Sequence, residues 1–217
     1  MKFKFKFKNI IPWFFIISNA NAYQKVENPW YIGGGVGYGS TTWDALVPQS
    51  SEQNSAISMS TPIRVQEGGV LWGFSGGVEI FKNFQLEFNY WNYPKATIYF
   101  DPDSLYTFEN DESTEFTSNT YTMSLQGKFL VPWNDSQKLR LFATAGMAWL
   151  NRQDDLLIQD TISPTFGLGL NYGFTPNVMG EFGFVYTAGD GQSELNPSAD
   201  YMPFLYGIFW RLYYRWG

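Results

Sequence analysis

Neither cysteine nor histidine occurs anywhere in the 217 residues. Without cysteine there is no disulfide and no thiolate metal site, so the fold must close by hydrogen bonds and packing alone. Without histidine the commonest general base and the commonest metal ligand are missing together, which argues against an enzyme and against any metal or other cofactor. Charge is sparse as well: Asp, Glu, Lys and Arg make up 16% of the chain, and the formal net charge is -6, which excludes nucleic acid as a partner. No apolar run approaches the roughly 20 residues that a membrane-spanning helix needs.

The amino terminus has its own pattern. Lys2, Lys4, Lys6 and Lys8 precede an apolar run from Ile10 to Ile17, and Ala20-Asn21-Ala22 supplies the small residues that signal peptidases cut. Residues 1–22 therefore read as a removed secretory signal, with the mature chain, 23–217, starting near Tyr23 as one domain. An uncleaved anchor is the weaker alternative, because the apolar run is short and Pro12 interrupts it. Loss of the four lysines takes the formal charge from -6 to about -10.

What the chain has in excess is aromatic residues, 20% of the total, at a mean hydropathy of only -0.24. Such a chain must separate greasy and polar residues finely, and it does so with period two. Trp30, Ile32, Val36 and Tyr38 alternate with Tyr31, Gly33, Gly35, Gly37 and Gly39, and Val70, Trp72, Phe74, Val78 and Ile80 alternate with Gly73, Ser75, Gly77 and Glu79. Lys82-Asn83 turns into Phe84, Leu86, Phe88 and Tyr90, set against Gln85, Glu87 and Asn89. Similar segments centre on Leu125, Ala145, Leu168 and Phe182. The last is the strongest, with Tyr206, Ile208, Trp210, Leu212, Tyr214 and Trp216 on one face.

Eight segments result, an even number, and short connections at 81–84, 131–138 and 173–177 alternate with long ones at about 41–67, 94–118, 151–161 and 189–200. That asymmetry predicts an all-β, eight-stranded antiparallel up-and-down transmembrane β-barrel with its long loops outside a bacterial cell. A soluble barrel shares the period. The membrane reading is favoured because the polar faces hold glycine rather than dense charge, and because large aromatics such as Trp30, Tyr90, Trp149, Tyr172 and Trp216 fall near strand ends, where interfacial girdles sit.

The segment Trp30-Tyr31-Ile32-Gly33-Gly34-Gly35-Val36-Gly37-Tyr38-Gly39 resembles the first strand of the OmpA-type and opacity-protein-like small outer-membrane barrels, and Tyr213-Tyr214-Arg215-Trp216 resembles their terminal strand. The resemblance implies a place in the outer membrane of a Gram-negative bacterium, contact with outer-membrane lipid and lipopolysaccharide, and delivery by the barrel-assembly machinery. Tyr206, Ile208, Trp210, Leu212, Tyr214 and Trp216 would form the assembly signal. The chain departs from the pattern by placing Trp216 where the family uses Phe and by adding Gly217.

With the greasy faces on lipid, Glu79, Glu87, Lys128, Arg140, Glu181, Arg211 and Arg215 face the lumen, all toward the short-turn end. Eight strands enclose a space that side chains just fill, and unpaired buried charges are costly, so the seven are expected to pair as a plug. A gate that re-pairs to pass ions, which the resemblance also implies, is the less favoured alternative to a purely structural core. Fifteen of the twenty acids fall in the long loops. An acidic rim held up by a rigid barrel suggests a structural or surface-interaction role with an unidentified surface ligand, against the alternatives of a small channel, hydrophobic-compound passage or, least favoured, a lipid-modifying enzyme. Solvated, disordered loops are the plainer reading of the same charge. Asp101-Pro102-Asp103 through Glu112 imitates a calcium loop but puts Leu105 at a ligand position and Tyr106 where glycine must turn, so no metal site is expected there. Pro94, Pro164 and Pro203 are expected to end strands rather than to open the wall.

Overall fold

Period-two alternation is realised as strands whose greasy side faces outward. The computed structural model describes residues 29–47, 61–104, 114–133, 138–190 and 201–217; the expected signal segment lies outside them. The strands are β1 (Trp30–Thr41), β2 (Arg64–Gln66), β3 (Gly69–Phe81), β4 (Phe84–Asn92), β5 (Ala96–Tyr99), β6 (Glu115–Pro132), β7 (Leu139–Gln153), β8 (Ile158–Gly173), β9 (Val178–Thr187) and β10 (Leu205–Trp216). Eight of them, in the order β1-β3-β4-β6-β7-β8-β9-β10, pair antiparallel with their neighbours. The ring is closed by β10 on β1, with Trp30 opposite Trp216 and Thr41 opposite Leu205. A closed sheet has no edge left to satisfy, which is why a strand-built chain can cross hydrocarbon.

The two faces differ as the alternation requires. Ile32, Val36, Phe74, Phe88, Leu125, Leu168, Ile208, Trp210 and Leu212 are exposed on the outside, while Tyr31, Gln85, Glu87, Lys128, Glu181 and Arg211 are buried inside. The outward aromatics join into belts. Trp72 lies 5.8 Å from Tyr90, Tyr90 lies 5.8 Å from Tyr121, and Tyr121 lies 6.5 Å from Trp149, so four adjacent strands share one girdle. Phe84 with Phe129, and Tyr172 with Phe174, mark the opposite rim.

Three differences from the sequence reading concern the long-loop end. The connection expected at 151–161 is nearly all strand: β7 and β8 stay in register up to Gln153 opposite Ile158, leaving four residues between them. Pro164 accordingly sits inside β8, opposite Met147. The loops at 41–67 and 94–118 also contain structure. β5 resumes on β6 where β4 stopped, after the break at Pro94, and β2 pairs with β5 after a break at Gly68, whose φ is +88°. β2 and β5 thus extend the wall beyond the membrane belt. Their inward side chains, Val65, Ala96 and Ile98, pack with Phe100, Phe116, Tyr201 and Trp43 of a short 3-10 helix (Trp43–Leu46) into a second apolar core.

Candidate functional site

Two pairs of adjacent strands on opposite sides of the barrel supply the central charges. Glu87 of β4 and Lys128 of β6 face Glu181 of β9 and Arg211 of β10, and all four are buried. Lys128 Nζ is bonded to Glu87 Oε2 on its own side and reaches across to Glu181 Oε1 at 2.9 Å. Arg211 Nη2 meets Glu181 Oε2 at 2.8 Å, and its Nη1 reaches back across to Glu87 Oε1 at 3.0 Å. The four form a closed ring of alternating sign that ties opposite walls together. Charges this deep are tolerated only when every lone pair and proton finds a partner. Tyr31 Oη therefore donates to Glu87 at 3.0 Å, Asn171 Nδ2 donates to Glu181 at 2.9 Å, and Asn89 Oδ1 accepts from Arg211 at 2.6 Å.

A second layer lies toward the short turns. Glu79 accepts Arg215 Nη2 at 2.7 Å and Arg140 Nη1 at 3.2 Å. Gln85 links the layers, because its Nε2 donates to Glu79 while its Oε1 stands 3.2 Å from the Tyr31 hydroxyl, whose one proton it shares with Glu87. Asn171 does the same on the other wall, accepting from Arg140 and donating to Glu181. The structure thus gathers all seven charges that the sequence places in the lumen into two joined layers, three acids with four bases.

The alternation places Tyr31 on the inward face, but Trp91, Phe142 and Phe209 there were not anticipated. Trp91, Phe142, Phe209, Tyr31 and Tyr213 are buried around the ring, with Arg211 4.3 Å from the Phe209 centroid and Lys128 5.1 Å from that of Phe142. Bare wall makes room for them. Gly169 and Gly183 stand opposite each other on β8 and β9, and a Cβ on either would come within 2.8 Å of the Phe142 ring. A Cβ at Gly35 would strike the Arg211 side chain at 2.4 Å. The signal was present as glycine-rich inward stretches facing strands that carry large inward rings. Above the charges, Leu71, Trp91, Tyr93, Leu205 and Phe209 continue the packing toward the second core. Among the described residues no group of acidic side chains is arranged to hold a metal ion.

At the outer mouth, Trp43 follows β1 directly and is fully buried, and the guanidinium of Arg152 stands 4.4 Å from its ring centroid. Arg152, which falls in the connection expected at 151–161, belongs to β7, the strand diametrically opposite β1. It is bonded to Asp154 and to the carbonyl of Tyr201. Glu67 holds the same corner by accepting from Thr41 Oγ1 at 2.8 Å and from the Trp43 amide at 2.9 Å.

The family whose sequence profile is described as "Outer membrane protein beta-barrel domain" matches residues 14–208. The chain belongs to this family. As an outer-membrane barrel it lies in the Gram-negative outer membrane, with the short turns and the paired strand ends Trp30 and Trp216 on the periplasmic side. Among solved structures this barrel is similar to Neisserial surface protein A, at 14% identity over 86% of this chain and 97% of that one, with a TM-score of 0.51. It is also similar to the outer membrane protein OprG from Pseudomonas aeruginosa, at 12% identity over 86% and 96%, with a TM-score of 0.50. At such identities the likeness concerns the fold. No curated protein sequence is similar enough to count as a match.

Proposed function

We propose that this outer-membrane barrel serves a structural or surface-interaction role, displaying acidic outer loops on a sealed scaffold, and neither conducts nor catalyses. The observation that carries the reading is the filled interior: the ion-paired layers, the apolar layer and the second core follow one another from the periplasmic to the outer end. The outer end is negative, with Asp44, Asp101, Asp103, Glu115, Asp155, Asp160 and Asp190 exposed. Among the described outer bases Arg64 and Lys95 are exposed and Arg152 is buried. Function on such scaffolds sits in loops that a rigid frame holds out.

The same reading takes outer-membrane lipid and lipopolysaccharide as the barrel's surroundings and the stripe from Tyr206 to Trp216 as its signal to the barrel-assembly machinery. The surface ligand is of cationic or mixed charge. The deciding experiment compares a deletion strain with wild type for surface binding and membrane integrity, alongside planar-bilayer recordings of the purified protein. Loss of binding or integrity with no conductance steps supports the reading. Steady conductance, or a deletion strain unchanged in both respects, contradicts it.

A further inference from the structure

Just above the charged ring, on its outer side, the packing of the described residues leaves a gap of about 10 Å³, bordered by Asn89, Gln126, Thr144, Trp91, Phe209 and Arg211. Of the five donors of Arg211, the two on Nη1 are shared among Ser75, Glu87 and Asn89, and Nη2 donates to Glu181. Its Nε is buried and meets no acceptor among the described residues. A guanidinium N–H in an interior this dry is expensive to leave unmade.

We propose that this gap is a binding site for one ordered water molecule, which accepts from Arg211 Nε and donates to the side chains of Gln126 and Thr144. Size and chemistry both select the occupant. About 10 Å³ admits a single water-sized probe and nothing larger. An anion would lie against the same ring that holds Glu87 and Glu181, and a cation would meet the guanidinium, so a neutral molecule that both donates and accepts is what the walls fit. Gln126 is suited to the role, because its Nε2 already donates to Ser124 Oγ at 2.9 Å, which turns its Oε1 free to accept. The water would then belong to the ring as its outermost member, joining the ion pairs of β9 and β10 to the polar inward face of β6.

The test uses the full chain refolded in lipid nanodiscs, with ¹⁵N-labelled arginine and lysine. The Arg211 Nε–H resonance, assigned by its absence in Arg211→Lys, is expected to show a cross-peak to water at a fixed position and to exchange slowly with solvent. In Thr144→Val the cross-peak should weaken at least severalfold while the Lys128 Nζ resonance, held by Glu87 and Glu181, stays in place. An Nε–H resonance that is visible in the wild type and lacks any water cross-peak overturns the proposal, as does a cross-peak that rapid bulk exchange accounts for. Folding of each variant is checked by heat-modifiable gel migration, so that a lost signal is not mistaken for a lost barrel.

Discussion

Lys128 Nζ lies 2.9 Å from Glu181 Oε1 although the two side chains start from β6 and β9, strands with β7 and β8 between them. The pair is a strut across the lumen. Removing one partner leaves a buried charge short of compensation, so Lys128→Met or Glu181→Gln alone is expected to cost about 3–5 kcal/mol in urea titrations of the protein in lipid vesicles. In the double variant Glu87 and Arg211 still pair, and the loss should fall well short of the sum. Additive losses would mean that the two residues do not share a network.

Trp43 ties the outer mouth to the far wall through Arg152. Trp43→Ala is expected to loosen the second core and raise proteolysis of the outer loops by tenfold or more, while heat-modifiable migration of the barrel is retained. Unchanged digestion would show that the 3-10 helix contributes nothing to the cap.

Gly68 carries φ +88°, and a Cβ there would sit 2.2 Å from the Tyr38 hydroxyl. Gly68→Ala therefore meets both backbone strain and a clash, and a loss of about 1–3 kcal/mol is expected from the backbone alone. Gly76, whose nearest neighbours to a Cβ are 3.5 Å away or more, should accept alanine with a much smaller change and serves as the control.

Burial raises the carboxyl of Glu67 above its ordinary value, against the opposing hydrogen bonds from Thr41 and Trp43. A carboxyl with a raised pKa in the folded state favours folding most when protonated. Its contribution is thus present below the ordinary glutamate value of about 4.3 and is lost as pH rises through the folded one. Glu67→Gln keeps an acceptor for both donors and should remove this part of the pH dependence, so that the difference in stability between variant and wild type grows from pH 4 to pH 7 in the variant's favour. A difference that stays flat over that range would remove Glu67 from the account.

The membrane-spanning part was legible because its two faces differ in kind and the difference recurs every second residue, as in Phe84, Leu86 and Phe88 against Gln85 and Glu87. The seven lumen charges could be named for the same reason. What escaped the reading shares a cause. Trp91, Phe142 and Phe209 are apolar residues on the inward face, so they add nothing to the alternation, and their meaning lies in glycines on distant strands such as Gly169 and Gly183. β2 and β5 are too short for a period to register, and the breaks at Gly68 and Pro94 read as loop. The upper parts of β7 and β8 carry Asn151, Arg152 and Asp160 in a row of pairings that looks like solvated loop until Trp43 and Tyr201 come to lie over Arg152.

The account rests on which half of each zigzag meets hydrocarbon. Spin labels at Val78, Phe88 and Leu168, compared with labels at Ser124 and Thr144 in lipid bilayers, measure this directly through collision with dissolved oxygen and with a water-soluble nickel chelate. The first three are expected to meet oxygen and exclude nickel, and the inward pair to be shielded from both. Nickel contact at Phe88 or Leu168 equal to that of a label in bulk water would contradict the barrel as described.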